Sequence, residues 1–546
     1  MITQVTIRRF KRFDEVTFTL PGHIVLAGPN NTGKTTVLQA IASWGLALNR
    51  WRQLNDYQRH GGGYTKAPIA RQAFSAVPQR SYELLWNERQ YSASMEVQVK
   101  SRDWSLTMEF IADTSEQIFV RPTKATEPGV IKTIDLPTVF IPPMTGLSTD
   151  EPVYQRPKVD QLLGQGRPGE IIRNLLVEAH QSETAWRALT ASVKRLFGVE
   201  IMPPDATGAD IIAEYTRDNG PRLDVASAGS GFQQVLMLLT FLYARPASVL
   251  LIDEPDAHLH IILQDTIYGE LRSVAVKQNS QLIIATHSEV IINSVEPREL
   301  CILFDKPRMV ADAAERTRVA RSLGILSDTD IMLALVCPGV LYLEGHTDLD
   351  ILREWARILG HKAQELFSTK LFWRPTIWET RTGAQGIKST DHFAALQLVR
   401  EDVPGLMLLD RDEDARKPDG EITGKGLQRL RWRRYEIESY LVHPDAIDRF
   451  IDHQTGGPEL SAEYKRDARK YFEQQMPAVL SDPLGEHLIL EGVKASDRII
   501  PAILAAAGIH GVEKDQYYEI AALMKPEEIH PEVTEKLDAI LRAFRL

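Results

Sequence analysis

The chain has 546 residues, 43% of them hydrophobic and 25% charged, which is the ordinary balance of a globular protein with two to four domains. No apolar run approaches the ~20 residues that a membrane-spanning helix needs, so we expect no membrane partner. The formal net charge is −10, and a nucleic acid would therefore have to bind at a local basic patch.

The N-terminus, "MITQVTIRRFKRF", alternates apolar and polar residues. This pattern predicts a strand, and it lacks the apolar core of a signal peptide. The two cysteines, Cys301 and Cys337, do not have the spacing of a metal site. Both are predicted to be reduced core residues, and the protein is expected to be cytoplasmic.

The stretch "HIVLAGPNNTGKTTVLQAIASW" contains an apolar strand, a glycine-bearing loop and a helix. The loop fits the pattern G-x-x-x-x-G-K-[ST]. Its glycines let backbone N–H groups approach phosphates, Lys34 supplies positive charge, and the Thr35 hydroxyl is placed to hold Mg²⁺. We therefore predict ATP as a cofactor. The predicted nucleotide-binding residues of the loop are Gly28, Asn30, Asn31, Gly33, Lys34, Thr35 and Thr36.

Two later apolar strands end in side chains that suit nucleotide hydrolysis. The run in "SVLLIDEPDAHLH" ends at Asp253 and Glu254. We predict that Asp253 joins Thr35 at the Mg²⁺ and binds the cofactor, and that Glu254 orients or deprotonates the attacking water. The run in "SQLIIATHSEVII" ends at His287, which is predicted to act at the same site because it follows one strand later.

Between these motifs, "SAGSGFQQVLMLL" places small residues at the start of a helix. A helix N-terminus rich in Gly and Ser suits a phosphate, although a plain tight turn would have the same composition. Ser227 and Ser230 are both candidate cofactor ligands, and the sequence does not decide between them.

The phosphate loop, the Gly/Ser helix start, the Asp-Glu strand and the His strand follow in an order that resembles the ABC-type ATPase heads of the structural-maintenance and DNA-repair ATPases. The resemblance implies that two heads hold ATP between them, and hence a homodimer or higher homo-oligomer. The Gly/Ser stretch departs from the usual L-S-G-G-Q form. A helical segment at about 165–200 is predicted as an insertion whose apolar positions hold copies together without ATP.

In the second half, "GVLYLEGHTDLDILREWARIL" predicts a strand, a tight turn and a helix. Glu344 falls at the carboxyl end of that strand, and Asp348 opens the helix, where it would also cap free N–H groups. The stretch "VPGLMLLDRDEDA" repeats the design with Asp410 and Asp412. Carboxylates that gather at strand ends repel one another unless a cation neutralises them, and oxygen ligands favour Mg²⁺ or Mn²⁺.

Carboxylates at two strand ends of an α/β domain resemble the Toprim fold. "RYEIESYLV" adds Glu436 and Glu438, and "EGVKASDRII" adds Lys494. Together with the ATPase-type first half, the chain is similar to the Overcoming Lysogeny Defect (OLD) nucleases, which include the nuclease subunit of the Gabija anti-phage system. Glu436 departs from that pattern, since aspartate is expected there.

The OLD resemblance implies two metal ions and a DNA substrate in phage defence, with a partner protein encoded elsewhere. One ion would be held by Glu344, Asp410 and Asp412, and the other by Asp348, Glu436 and Glu438. Two ions can activate the attacking water and stabilise the leaving 3′ oxygen. The catalytic residues would be Glu344, Asp410 and Lys494, with Lys494 stabilising charge on the phosphate.

The predicted fold class is α/β throughout. An ABC-type P-loop ATPase domain spans residues 1–305, a linker spans 306–335, and an α/β Toprim nuclease domain with a C-terminal helical extension spans 336–546. The basic stretch "KGLQRLRWRRYEIESYL" is either a nucleic-acid surface, which Trp432 among the arginines favours, or a solvated helix face.

Three functions fit these motifs. The first is an ATP-regulated, metal-dependent DNA endonuclease. The second is an ATP-binding switch whose Toprim module docks a partner without cleaving nucleic acid. The third is another Toprim phosphoryl transfer, as in primases or topoisomerases, which ranks low because no tyrosine nucleophile domain or zinc-ribbon cysteines are visible.

Overall fold

The computed structural model divides the chain into two compact units, Met1–Gly324 and Ile325–Leu546. It describes residues 1–55, 57, 59–60, 63–70, 74, 77, 81–113, 117–143, 146–164, 167–217, 220–257, 259–304, 306–378, 387–411, 420–422 and 426–546. Within these residues no helix is long and apolar enough to cross a membrane.

The first unit mixes strands and helices. Its strands are β1 (Gln4–Phe10), β2 (Phe13–Thr19), β3 (Ile24–Ala27), β4 (Arg59–His60), β5 (Gly63–Tyr64), β6 (Ala67–Ala70), β7 (Met95–Lys100), β8 (Ser105–Ala112), β9 (Gln117–Pro122), β10 (Thr138–Ile141), β11 (Glu200–Ile201), β12 (Glu214–Thr216), β13 (Leu223–Asp224), β14 (Val249–Asp253), β15 (Gln281–Thr286), β16 (Leu300–Leu303) and β17 (Pro307–Met309). Its helices are α1 (Lys34–Leu54), α2 (Pro128–Thr133), α3 (Arg156–Gly164), α4 (Ile172–His180), α5 (Glu183–Phe197), α6 (Ser230–Ala244), α7 (Ile261–Lys277), α8 (Glu289–Ser294) and α9 (Ala313–Ile325).

Two larger sheets organise this unit. One is antiparallel, in the order β2-β1-β7-β8-β9-β6, and its strands β7 and β9 alternate buried and partly buried side chains, as an antiparallel sheet with one covered face does. The other has the order β10-β14-β15-β3-β16-β17, and it is parallel except for its edge strand β17. Its central strands are continuous apolar runs because both faces are buried.

Helix α1 lies against strands of both large sheets. It buries Val37, Ile41, Trp44 and Trp51 along one side, and the Trp44 Nε1 donates to the Leu106 carbonyl at 3.1 Å. Because the phosphate loop leads directly into α1, this packing fixes the direction in which the loop presents its N–H groups.

The helices of the expected insertion, α4 and α5, pack against α6 in the same unit. Their apolar residues Leu175, Leu176, Leu189 and Val193 are fully buried there. This burial removes the reason for expecting that face to hold copies of the chain together, since the apolar stripe already has a partner within the unit.

The second unit is built around a sheet in the order β19-β18-β22-β24-β23. Strands β18, β19, β22 and β24 run parallel, and β23 is antiparallel to β24. Its strands are β18 (Val340–Leu343), β19 (Phe372–Pro375), β20 (Ile377–Trp378), β21 (Ile387–Lys388), β22 (Gly405–Leu409), β23 (Gly420–Ile422) and β24 (Leu427–Arg431). Its helices are α10 (Asp328–Val336), α11 (His346–Ile358), α12 (Ala363–Thr369), α13 (Ser389–Val399), α14 (Pro444–Thr455), α15 (Ala462–Gln475), α16 (Pro477–Ser481), α17 (Leu488–Gly492), α18 (Ile500–Ala506), α19 (Tyr518–Ala522) and α20 (Pro531–Ala543).

Residues 306–335, expected to be a linker, instead contain β17, α9 and most of α10. Strand β17 pairs with β16 in the first unit. Helix α10 belongs to the second unit, where Asp330 accepts a hydrogen bond from Arg374 Nε on β19 at 2.8 Å. The Asp330 carboxylate also lies 3.5 Å from the buried His392 Nε2. The polar residues of this region therefore belong to helices that have one solvent-exposed face.

Candidate nucleotide site and acidic site

The phosphate loop follows β3 and needs its glycines for two different reasons. A side chain at Gly28 would place its Cβ 2.2 Å from the Leu303 carbonyl oxygen, so the backbone there has no space for one. Gly33 has φ +102°, in the left-handed region, and its Cβ would lie 2.6 Å from Phe13 Cζ. The loop is therefore held close to neighbouring backbone on one side and turned sharply into α1 on the other.

Lys34 and Thr35 point toward the carboxyl ends of the parallel strands. Lys34 Nζ donates to the carbonyl oxygens of Gly28 and Pro29 at 2.7 Å each. Thr35 Oγ1 donates to Asp253 Oδ1 at 3.0 Å, which joins the loop to the end of β14. Burial raises the pKa of Asp253 to about 6, against the opposing effect of the Thr35 hydrogen bond.

The other residues of the phosphate loop differ in exposure and in hydrogen bonding. Asn30 and Asn31 are exposed, and Asn31 has φ +62°. Its carbonyl accepts a hydrogen bond from Arg12 Nη1. Thr36 is half-buried in the first turn of α1. Arg12, which the motif analysis did not single out, thus brings a cation to the edge of the loop.

Glu254 and His287 come together across neighbouring strands. Strands β14 and β15 run parallel with Asp253 opposite Ala285, so the residues that follow each strand lie at the same edge. His287 Nδ1 lies 3.4 Å from Glu254 Oε1. The contact raises the pKa of His287 and lowers the pKa of Glu254. An ionised carboxylate that an imidazole holds in place can act as a general base toward water.

The Gly/Ser stretch forms a short 3-10 turn, Val225–Ser227, followed by α6. Ser227 Oγ donates to the Asp224 carbonyl at 2.6 Å, whereas Ser230 is the exposed first residue of α6. Asp224 in turn accepts from the buried Arg173 Nη2 at 2.7 Å. The turn is therefore anchored to α4, and Ser230 is the serine that sits at the helix N-terminus.

The acidic residues of the second unit meet at the carboxyl ends of β18 and β22. These strands pair in parallel with Tyr342 opposite Met407, so Glu344 and Asp410 follow them at the same edge. The Asp410 backbone N–H donates to Glu344 Oε1 at 3.1 Å. Residues far apart in the sequence are thereby brought into direct contact.

Glu436 and Glu438 complete this cluster from the 3-10 turn Ile437–Leu441 and the residue before it. One carboxylate oxygen from each of Asp410, Glu436 and Glu438 lies within 4.8 Å of the other two. The Ile437 N–H donates to Asp410 Oδ1 at 3.2 Å, which ties the turn to the strand end. Glu436 and Glu438 have no exposed surface.

Part of this buried carboxylate surface lacks a hydrogen-bond partner. Glu436 Oε1 accepts from the Ser496 backbone N–H, but Glu436 Oε2 has no hydrogen bond to any described residue. Glu438 Oε1 forms an ion pair with Lys514 Nζ at 2.7 Å, and its Oε2 is likewise without a hydrogen bond within the described chain. A buried, unpartnered carboxylate oxygen is costly unless a cation approaches it.

The proton affinities of the cluster follow from this crowding. Burial, followed by the charges of Glu344 and Asp348, raises the pKa of Asp410 to about 9. Burial and the charge of Glu438 raise the pKa of Asp348 to about 6. Burial and Glu438 also raise the pKa of Glu436. The carboxylates therefore destabilise one another as anions, and a divalent cation bound among them would offset that repulsion.

The arrangement differs from the two expected metal shells. Asp410 groups with Glu436 and Glu438, although it was assigned to the ion of Glu344. The exposed Glu344 borders this group. Asp348 is the third residue of α11 and accepts from the Glu344 N–H at 3.2 Å, which precedes the helix, so it does not cap the free N–H groups of α11 as expected. Asp412 lies outside the described residues.

The structure brings to the cluster a lysine that the sequence did not indicate. Lys494 Nζ pairs with the exposed Asp497 at 3.0 Å, and that hydrogen bond raises the pKa of Lys494. Lys514 instead pairs with the fully buried Glu438. Burial lowers the pKa of Lys514, but Glu438 outweighs it and the net pKa lies above the usual range. No motif in "VEKDQYY" marks Lys514, so sequence reasoning missed it.

The basic stretch after β22 is largely structural. Trp432 is buried in the core of the second unit. Arg434 is buried over the Tyr440 ring, with its centroid 4.9 Å away, and donates to the Ser439 carbonyl. Arg433 pairs with Glu535 at 2.5 Å. The arginine-and-tryptophan pattern thus arises from strand β24 and the turn that follows it, not from an aromatic nucleic-acid surface. Lys425 of the same stretch lies outside the described residues.

A second group of potential ligands comprises His443, Asp445 and Glu528. Here the negative charges already have cationic partners, because Arg469 pairs with Asp445 and Arg449 pairs with Glu528. The charge imbalance of the first cluster is therefore not repeated.

Comparison with known proteins bears on the first unit. Residues 172–293 match the family described as "AAA domain, putative AbiEii toxin, Type IV TA system". This range contains α6, Asp253, Glu254 and His287, and it begins after the phosphate loop. No curated protein matches the chain. Residues 172–293 are thus similar to an AAA-type ATPase domain, and the family match ends before the second unit.

Among solved structures, similar chains are heads of SMC proteins. An SmcHead bound to the C-winged helix domain of ScpA has 14% identity and a TM-score of 0.35, over 55% of this chain and 93% of that one. A Pyrococcus furiosus Smc head with an extended coiled coil, bound to the C-terminal domain of ScpA, has 13% identity and a TM-score of 0.36, over 59% and 99%. The Thermotoga maritima SMC head has 14% identity and a TM-score of 0.31, over 57% and 99%. At these scores the likeness carries no argument about activity or assembly.

Proposed function

We propose that the protein is an ATP-regulated, divalent-metal-dependent DNA endonuclease of the OLD type, with a Toprim second unit, acting in anti-phage defence. The observation that carries this proposal is the meeting of Asp410, Glu436 and Glu438 within 4.8 Å at the carboxyl ends of parallel strands. In open α/β sheets that edge is where ligands bind.

The donor set fits a divalent cation. It consists of carboxylate oxygens, which Mg²⁺ and Mn²⁺ prefer. Glu436 Oε2 is buried and without a hydrogen bond among described residues, so it has a lone pair to offer. Asp410, Glu436 and Glu438 would hold one ion, and Glu344 and Asp348 border the place where a second would lie. When bound, such ions supply water activation and charge stabilisation in phosphodiester hydrolysis.

The chain's own residues then have separable roles. Glu344 fixes Asp410 by accepting its backbone N–H. Lys514 neutralises part of the carboxylate charge and, at 2.7 Å from Glu438, is better placed than Lys494 to face a phosphate bound beside the cluster. DNA would enter where Glu344 and Asp410 reach the surface.

In the first unit, ATP would bind the phosphate loop. Lys34 would exchange its two carbonyl contacts for the β- and γ-phosphates, and Thr35 with Asp253 would hold the Mg²⁺. Glu254, ionised beside His287, would act as the general base. Ser230 is favoured over Ser227 as the ligand for a second copy's nucleotide, because it begins α6, whereas the Ser227 hydroxyl already donates to the Asp224 carbonyl. This arrangement requires a homodimer.

A second candidate is an ATP switch whose second unit docks a partner without cleavage. The Lys514–Glu438 ion pair favours it, because a resident cation partly neutralises the cluster without metal. The match to a family of putative toxin ATPases is compatible with either candidate.

Incubation of supercoiled plasmid with the protein and Mg²⁺ or Mn²⁺ separates these functions. Nicked or linear products support the endonuclease, and relaxed closed circles point to a topoisomerase. Unchanged plasmid under both ions, with and without ATP, favours the switch. The control for substitutions in the acidic cluster is Asp350→Asn, which removes an α11 carboxylate that pairs with Arg353. It should cleave like the unmodified chain.

A further inference from the structure

Two adjacent glutamines in the first turns of α6, Gln233 and Gln234, have different partners. They are only 5% and 2% exposed. A buried amide must find hydrogen-bond partners or destabilise the fold, so what each side chain holds indicates why it is there.

Gln233 holds the loop that precedes its own helix. Its Nε2 lies 2.9 Å from the Ala228 carbonyl oxygen and 3.0 Å from that of Ala226. The side chain therefore closes the turn that carries Ser227 onto α6, and the loop and helix move as one piece.

Gln234 reaches the other way, to the end of β14. Its Nε2 donates to the backbone carbonyl of Glu254 at 3.3 Å. Its Oε1 is buried without a hydrogen bond to any described residue. The Gln234 amide therefore makes one hydrogen bond in the core, through Nε2, and its Oε1 makes none with the described residues.

The backbone of Glu254 needs such support. Its φ is +46°, in the left-handed region that residues other than glycine rarely adopt, and such a conformation persists only where the surroundings hold it. The Glu254 N–H donates to the Ala285 carbonyl at 2.9 Å, and the carboxylate meets His287. The Glu254 carbonyl accepts from the Ala257 N–H at 3.2 Å and, from outside the loop, from Gln234, so both polar backbone groups and the side chain are fixed.

We propose that Gln234 is a positioning residue that holds Glu254 in its left-handed conformation. With Gln233, it makes α6 a rigid link between the Gly/Ser loop and the general base of the same chain. This inference deepens the ATPase part of the proposed function and rests on it. A nucleotide bound at the Gly/Ser loop would then influence the position of Glu254 through the side-chain amides of Gln233 and Gln234.

The first test is Gln234→Met, which keeps the length of the side chain but removes the donor. We expect kcat for ATP hydrolysis to fall about 10- to 100-fold, because a misplaced general base is ineffective, while KM and equilibrium ATP binding change less than about twofold. The control is Thr240→Val, which removes the Thr240 Oγ1 hydrogen bond to the Leu236 carbonyl from the same buried helix. It should leave kcat unchanged.

Amide hydrogen exchange provides a readout that does not depend on hydrolysis. In the full chain with Mg²⁺ and a non-hydrolysable ATP analogue, exchange over residues 253–256 should rise in Gln234→Met and stay unchanged in Thr240→Val. Unchanged exchange in Gln234→Met would overturn the proposal even if the chain hydrolyses ATP. Raised exchange in a chain without ATPase activity would retain the positioning role and refute the proposed hydrolysis.

Gln233→Met tests the link to the loop. The loosened loop should weaken engagement of a second copy, so hydrolysis should fall at low protein concentration and recover at high concentration. Gln234→Met should show no recovery. The same concentration dependence in both variants would refute separate roles for the two amides.

Discussion

The nucleotide site and the acidic site both lie at the carboxyl ends of parallel strands, yet their charges are balanced in opposite ways. In the first unit Lys34 donates to two carbonyl groups, and Glu254 meets His287. In the second unit Asp410, Glu436 and Glu438 lie close together, and carboxylate oxygens of Glu436 and Glu438 have no hydrogen bond to a described residue. The charged groups of the nucleotide site have partners within that site. The carboxylates of the acidic site repel one another and are held together by the fold around them.

The difference concerns what a ligand does to each unit. A nucleotide has to displace contacts that the phosphate loop makes with itself, so binding exchanges one set of partners for another. A divalent cation at the acidic site would add a partner where carboxylates have too few, and would stabilise the unit as well as equip it for chemistry. Variants at the two sites should therefore behave differently, in activity and in stability.

The largest effect is expected from Glu344→Ala and Asp410→Ala. Either change removes a carboxylate at the edge where the ion is proposed to sit, and DNA cleavage should fall at least ~1,000-fold, since several kcal/mol of transition-state stabilisation are lost together. ATP hydrolysis should stay within about twofold, because Lys34 and Glu254 lie in the other unit. Plasmid nicking and phosphate release on the same preparations check this. Full nicking by both variants would show that the acidic cluster does not hold the catalytic ion.

Lys34→Ala tests the nucleotide site in the same way. Loss of the charge that faces the β- and γ-phosphates should lower ATP affinity about 100-fold, measured by equilibrium binding of a fluorescent ATP analogue. Light scattering should show that any ATP-dependent dimer is lost. Stabilisation of the chain by Mg²⁺ without nucleotide should persist, and its disappearance would mean that the two sites are not separable.

Two lysines provide a matched pair at the acidic site. Lys514→Met leaves the buried Glu438 without its cation, so the free energy of unfolding without metal should fall by about 1–2 kcal/mol, and Mn²⁺ should restore most of it. Lys494→Met loses a contact with the exposed Asp497 and should change stability by less than about 0.5 kcal/mol. Thermal unfolding with and without Mn²⁺ measures both. Equal losses in the two variants would contradict the assignment of Lys514.

The smallest effect has the opposite sign. Asp410→Asn keeps the shape of the side chain but removes the cost of burying this carboxyl, which must either take up a proton or repel its neighbours, so without metal the protein should gain about 0.5–1 kcal/mol of stability. The same variant should no longer be stabilised by Mg²⁺ or Mn²⁺. Denaturant unfolding with a chelator, and then with metal, gives both numbers. A loss of stability in the chelated protein would contradict the proposed repulsion, because asparagine keeps the oxygen that accepts from the Ile437 N–H.

The sequence was a good guide wherever a feature is local to the chain. The spacing of the phosphate loop fixes its geometry, because Gly28, Lys34 and Thr35 are joined by a few bonds and a short helix start. Apolar runs ending in an acid predicted the strands that lead to Asp253 and Asp410, and the structure has β14 and β22 there. The alternation of strands and helices likewise predicted an α/β fold.

The sequence was a poor guide to features that depend on long-range packing. Trp432 and Arg434 have the composition of a binding surface, but the core of the second unit covers them. The apolar stripe of α4 and α5 suggested an interface between copies, yet α6 buries it. Periodicity tells which face of an element is apolar, and it does not tell which neighbour will cover that face.

The sequence by itself determined that the chain carries a phosphate loop and a set of acids at strand ends. Only the tertiary structure decided which acids meet and which lysine joins them. Glu438 and Lys514 come from segments separated by several helices, and their 2.7 Å contact depends on how α19 and the turn before it pack against α11 and α14. A motif is determined by covalent neighbours, whereas a charge cluster is determined by the packing free energy of the whole unit, which outweighs the local repulsion of its carboxylates.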